Sequence, residues 1–131
     1  MPFLLDTCAI LFIAEGATDL SAETLQRIDA APQGQVFVSA ISLGELACLQ
    51  DRGRITLRLH WRTWWEELLK RTGWICLPVT DQVMAEAYSL PLPIHRDPAD
   101  LSLIATARLE RLTLVTTDRR ILDYPHVATI S

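Results

Sequence analysis

Short, wholly apolar runs alternate along this chain with longer stretches whose apolar residues recur at helical spacing. Phe3-Leu4-Leu5 is the first run, and Asp6 ends it. Such a run fits a strand buried on both faces. Residues 7–14 read as a helix that is apolar nearly all round. Residues 19–30 read as a second, with Leu20, Leu25 and Ile28 on one side and Pro32-Gln33-Gly34 as its stop. Val36-Phe37-Val38 predicts the next strand, ending at Ser39, and a helix follows from about Ser42 to Gln50. The spacing of Leu57, Trp61, Trp64, Trp65, Leu68 and Leu69 predicts a long amphipathic helix over 55–71. Trp74 to Leu77 predicts a third strand and residues 81–90 another helix. Pro91-Leu92-Pro93 is a rigid connection. Asp97-Pro98 opens a helix running to about Arg111, Leu112 to Thr116 predicts a fourth strand, and Val127 to Ile130 a short fifth.

Strand and helix thus take turns. That order predicts a three-layer α/β/α fold with a mainly parallel central sheet of four to five strands. Ligands of such sheets bind at the carboxyl ends of the strands, so the residues that follow each strand matter most.

Composition narrows the class. A chain of 131 residues, 50% hydrophobic and 21% charged, is expected to form one domain over residues 1–131 and is too apolar for disorder. No apolar run approaches the roughly 18 residues of a membrane span. The start has no basic segment ahead of Asp6, which speaks against a secretory leader. Cys8, Cys48 and Cys76 are odd in number and widely spaced, as expected of reduced thiols in a cytoplasmic protein. Cys8 in particular reads as a buried packing thiol, since no base is spaced to activate it. The net charge of −4 excludes a generally basic nucleic-acid binder. Its distribution is uneven: residues 1–50 carry six acids and one base, residues 51–131 ten acids and eleven bases.

Asp6 follows the first predicted strand, Glu45 lies near the start of the helix after the second, Asp97 and Asp100 open the helix into the fourth, and Asp118 stands just beyond it. Carboxylates gathered at one sheet edge repel each other, and a divalent cation relieves that repulsion. Oxygen ligands of this kind suit Mg²⁺ or Mn²⁺ better than Zn²⁺. His60, His95 and His126 are scattered and lack zinc spacing. Each acid also has a structural explanation. Ser42 and Glu45 match a capping box, Asp97 with Pro98 fits an N-cap and N1 pair, and Asp118 suits a turn. Asp6 is hardest to explain so, because a cap there is poorly solvated.

Leu4-Leu5-Asp6-Thr7, the segment from Val38 to Leu46, the segment from Arg96 to Ala107, and Leu114-Val115-Thr116-Thr117-Asp118 resemble, in order, the four motifs of PIN-domain ribonucleases. Length and spacing are similar to those of the VapC toxins of bacterial toxin–antitoxin pairs. The resemblance implies an Mg²⁺- or Mn²⁺-dependent endoribonuclease. Asp6, Glu45, Asp100 and Asp118 match its catalytic acids, with Asp6, Asp100 and Asp118 on the metal. Thr7 and Thr116 match supporting hydroxyl positions, and Asp97 is the supporting acid of the third motif. Ser102 departs from the pattern, standing where many relatives carry Arg. The resemblance further implies an RNA substrate, a VapB-type antitoxin and a homodimer.

Arg52, Arg54, Arg58 and Arg62 in one stretch, and Arg119 and Arg120 in another, are candidates for RNA phosphates. Trp61, Trp64 and Trp65 suit base stacking or, at helical spacing, core and subunit contacts. Two other readings stand beside the nuclease: a PIN fold used only for binding, with its acids as caps, and a receiver-type phosphoacceptor domain. The latter needs an acidic pair after the first strand and a late Lys, whereas Asp6 stands alone and the one lysine is Lys70.

Overall fold

The computed structural model describes residues 2–16 and 19–131. Five parallel strands form one sheet in the order β3-β2-β1-β4-β5. They are β1 (Phe3–Leu5), β2 (Val36–Ser39), β3 (Ile75–Leu77), β4 (Thr113–Val115) and β5 (Thr129–Ile130). β1 sits at the centre, with Leu4 in register with Phe37 on one side and Leu114 on the other.

Alternation along β1 sends Phe3 and Leu5 to one face and Leu4 to the other. Phe3 and Leu5 join Val36, Val38 and Val115 in a cluster closed by Ile10, Ile28, Trp64, Trp65 and Leu68. Leu4 joins Leu114 in a second cluster, closed by Val83, Leu101, Ile104 and Ile121. Helices therefore cover both faces, and the expected three-layer α/β/α architecture is present. Leu4, Leu5 and Leu114 are completely buried, each contributing roughly 1.5–3 kcal/mol of apolar transfer.

The helices are α1 (Thr7–Glu15), α2 (Ala22–Asp29), α3 (Ala40–Asp51), α4 (Trp61–Thr72), α5 (Asp81–Ala87), α6 (Pro98–Glu110) and α7 (Arg119–Leu122). α2 starts three residues later and α5 ends three residues earlier than expected, and three others differ in ways that bear on the site or the core. α3 starts directly after β2 because Ser39, not Ser42, is its cap and accepts from Ile41 N. Ser42 is buried inside the helix and Glu45 lies in its second turn, so the capping-box reading of that pair fails. The helix predicted over 55–71 begins only at Trp61. Gln50 holds the incoming chain there, accepting from Trp61 N at 2.8 Å and donating to Leu59 O at 3.0 Å. Leu57 is buried from a loop rather than a helix. Asp118 caps a short helix, α7, where a turn was expected.

β1 leads to β2 and β3 on one side, and the chain then crosses over to β4 on the other. The crevice of such a reversal opens beyond the carboxyl ends of the strands that flank it. Here those are β1 and β4, which run directly into Asp6 and Thr116.

Candidate active site

Asp6 leaves β1 with its backbone N–H on Val115 O, tying it to β4. Its side chain is the N-cap of α1, where Oδ1 accepts from Ala9 N at 2.7 Å. The carboxyl is only 7% exposed. Burial pushes its pKa up, hydrogen bonds from Thr116 and Ala9 oppose that, and Asp100 and Asp118 raise it further. The Thr116 hydroxyl, fully buried after β4, also accepts from Asp118 N at 3.1 Å. It thereby ties Asp6 to Asp118.

Glu45 reaches the same edge from α3. Thr7 bonds to the Glu45 carboxylate by a short hydrogen bond and lies 2.9 Å from Ser42 Oγ. Burial raises the Glu45 pKa, Thr7 lowers it, and Asp100, Asp97 and Asp6 add repulsion. The interior position of Ser42 thus has a use: it supports the hydroxyl that supports the acid.

Asp97 caps α6 by accepting from Asp100 N at 3.0 Å, and Pro98 occupies the first turn. That leaves the Asp100 side chain free for the crevice. Burial raises its pKa, and a hydrogen bond from His95 lowers it. Asp118 differs: its pKa is lowered, first by the hydrogen bond from the Arg120 side chain. Arg120 grips it with Nη2 2.9 Å from Oδ2 and Nε 3.2 Å from Oδ1, and lies 3.7 Å from Asp100 Oδ2.

The tightest set of possible ligand atoms is His95, Asp100 and Asp118, all within 4.8 Å of one another. His95 is a site residue that sequence spacing missed. Its signal was weak but present, since it stands five residues before Asp100, next to a helix start that turns the chain back on itself. Asp6 and Glu45 border this set and are coupled to it by charge.

Other expected residues fall elsewhere. Arg52, Arg54 and Arg58 lie on the exposed connection between α3 and α4, and Arg119 pairs loosely with Asp123. None of the four is hydrogen-bonded or ion-paired to the acids among the described residues. Trp64 and Trp65 are core residues; Trp61 is partly exposed beneath Arg62. Cys8 is exposed rather than buried among packing atoms. It faces the acids, and partial desolvation together with Asp6, Glu45, Asp100 and Asp118 pushes its thiol up to about 11, so it is no nucleophile.

Two clefts of about 360 Å³ each mark the surface. One, between Leu25, Ile28 and Trp74, lies by the segments that enter β2 and β3, at the sheet edge opposite the acids. The other adjoins the acids through His95 and Arg120 and continues over Ile94, Tyr124 and His126.

A profile of the PIN domain matches residues 3–127 of the chain. The chain belongs to the PIN-domain family. Within that family it is 33% identical to ribonuclease VapC22 of Mycobacterium tuberculosis over 123 residues, 94% of this chain and 92% of the relative. The same PIN fold recurs in a toxin–antitoxin complex from Klebsiella pneumoniae (TM-score 0.66, 19% identity, 98% of this chain and 96% of the other). It recurs again in VapBC2 from Rickettsia felis, solved with a promoter DNA fragment (TM-score 0.66, 17% identity, 98% and 97% covered). Membership in the PIN family removes the receiver reading. No helix among the described residues is long and apolar enough to cross a membrane.

Proposed function

We propose that this chain is a VapC-type toxin, a metal-dependent endoribonuclease that hydrolyses RNA phosphodiesters, with Mg²⁺ or Mn²⁺ as its cation. The observation that carries the reading is the gathering of Asp6, Glu45, Asp100 and Asp118 from four distant segments at the β1–β4 crevice. Three of them, Asp6, Glu45 and Asp100, are burdened by desolvation and mutual repulsion. The donor set fits a divalent cation. It is rich in hard oxygens, its charges need a positive partner, and the chain's own Arg120 guanidinium is drawn into it.

Asp6, Asp100 and Asp118 would hold the cation. When bound, it supplies neutralisation of phosphodiester oxygens and makes water a competent nucleophile near neutral pH. Thr116 and Thr7 fix the carboxylates of Asp6 and Glu45 by hydrogen bonds. Glu45, held by Thr7, would complete the coordination or position the attacking water. Asp97 serves as the helix cap that frees Asp100. Cleavage leaves a 5′-phosphate and a 3′-hydroxyl. Arg120 at the rim, with Arg52, Arg54, Arg58 and Arg119 farther out, contacts substrate phosphates. A VapB-type antitoxin neutralises the site, the toxin acts as a cytoplasmic homodimer, and residues 1–131 constitute the one PIN domain.

The test is cleavage of RNA by purified protein with Mg²⁺, with Mn²⁺ and with chelator, beside Asp6→Asn and Asp100→Asn. Cleavage that needs the cation and both acids is the expected result. Equal cleavage by wild type and both variants would sink the reading.

A further inference from the structure

We infer that His95 is a positioning residue for the cation site, its Nε2–H holding Asp100 Oδ2 in the orientation that faces Asp118. The inference rests on the nuclease reading above and adds to it a residue that is not one of the acids.

The contact is short and sheltered. His95 Nε2 lies 2.8 Å from Asp100 Oδ2, and the two side chains are 15% and 18% exposed. The other ring nitrogen decides the direction. Nδ1 is buried and has no hydrogen-bond partner. A proton there would be a buried donor without an acceptor, so the ring proton sits on Nε2 and points at the carboxylate. The same fact argues against direct ligation by Nε2, which would force the proton onto the partnerless nitrogen.

An orphaned buried nitrogen costs stability, and the local structure does not need this histidine. α6 is already started by the Asp97 cap and by Pro98. The ring is largely buried, and its neighbour Ile94 packs against the core cluster of Leu101 and Leu114. What His95 does supply is a donor to one oxygen of a carboxylate that also faces the charges of Asp97, Asp118 and Arg120. Ligating carboxylates are commonly fixed this way, and losing the outer partner typically weakens metal binding about 10–100-fold.

The experiment is Mn²⁺ binding by calorimetry to the whole chain as wild type, His95→Phe, His95→Gln and Asp100→Asn, with thermal melts on each. Phe keeps the ring and loses the donor; Gln restores a donor. Expected are binding about 10–100-fold weaker in His95→Phe, recovery of most of that loss in His95→Gln, and near-complete loss in Asp100→Asn. Wild-type affinity in His95→Phe overturns the inference, as does a His95→Gln no better than Phe. Pulsed electron paramagnetic resonance on wild-type protein gives a reading that needs no variant. Strong ¹⁴N coupling to bound Mn²⁺, lost in His95→Gln, would mean direct ligation and also overturns it. Should Asp100→Asn bind as wild type does, the cation site itself is wrong. Should it lose binding while His95→Phe keeps it, only the role of His95 falls.

Discussion

Arg120 embraces Asp118 with two hydrogen bonds while its Nη2 also lies 3.7 Å from Asp100 Oδ2. A side-chain cation therefore stands between two of the acids proposed to hold a divalent ion. The pair is largely exposed on the arginine side, so solvent screens it and it is weak. Arg120 is thus a weak competitor. Arg120→Ala is expected to tighten Mn²⁺ binding by up to about fivefold and to raise the Asp118 pKa toward its ordinary value. Calorimetry and carboxyl-resolved NMR titration check the two effects. Weaker Mn²⁺ binding in the variant would show that Arg120 supports the site instead.

Asp6→Asn separates stability from activity. Asn caps a helix as well as Asp, so the bond from Ala9 survives, while a buried charge beside Asp100 and Asp118 is removed. Cation-free protein should gain a few degrees in Tm, and RNA cleavage should fall by about a hundredfold or more. Thermal melts in chelator and a cleavage assay are the measurements. A variant that is both active and less stable would contradict the burial argument.

The clustered acids set the pH profile of the cation-free protein. Asp6, Glu45 and Asp100 have raised pKa values, so the native state holds their protons longer than the unfolded chain. Their contribution to stability falls as pH rises from the ordinary carboxylate range through the raised values. Asp118 is lowered, and its contribution grows as pH rises from its lowered value to the ordinary one. Melts in chelator should show Tm declining from about pH 4 toward neutrality. Added Mg²⁺ should reverse the decline, by about 2.7 kcal/mol at a hundredfold excess over Kd, and do so more at neutral than at acid pH. A cation effect independent of pH would argue that the acids are not its ligands.

Cys8 reports on the same field from outside. With its thiol pushed up to about 11, about one molecule in a thousand carries the thiolate at pH 8. Alkylation by iodoacetamide, followed by mass spectrometry, should be slow there despite the exposure of the residue. Alkylation at the rate of an ordinary thiol would show that the acids do not face it.

The strands were legible because a parallel sheet covered on both faces writes itself as unbroken apolar triplets, as in Phe3-Leu4-Leu5. Asp6, Asp100 and Asp118 were legible because the chain must turn where each strand or helix meets the crevice. Helix starts were less so. Ser39 and Ser42 both offer a cap, and nothing local says that Ser42 is wanted by Thr7, 35 residues away. The helix expected over 55–71 starts only at Trp61, because Leu57 is buried by a loop and burial alone does not distinguish a loop from a helix turn. His95 was missed because a single histidine has no spacing of its own, and its meaning comes only from the way α6 brings Asp100 back over it.

β1 lies between two strands on either side, with its amides engaged on both flanks. Amide deuteration at Leu4 and Leu5 should therefore require opening of the entire molecule. The most deeply buried of these carboxylates, Asp6, is anchored to the central strand. Local fraying cannot ease the crowding around Asp6, so Arg120, protonation and the proposed divalent cation are the routes by which it would be eased.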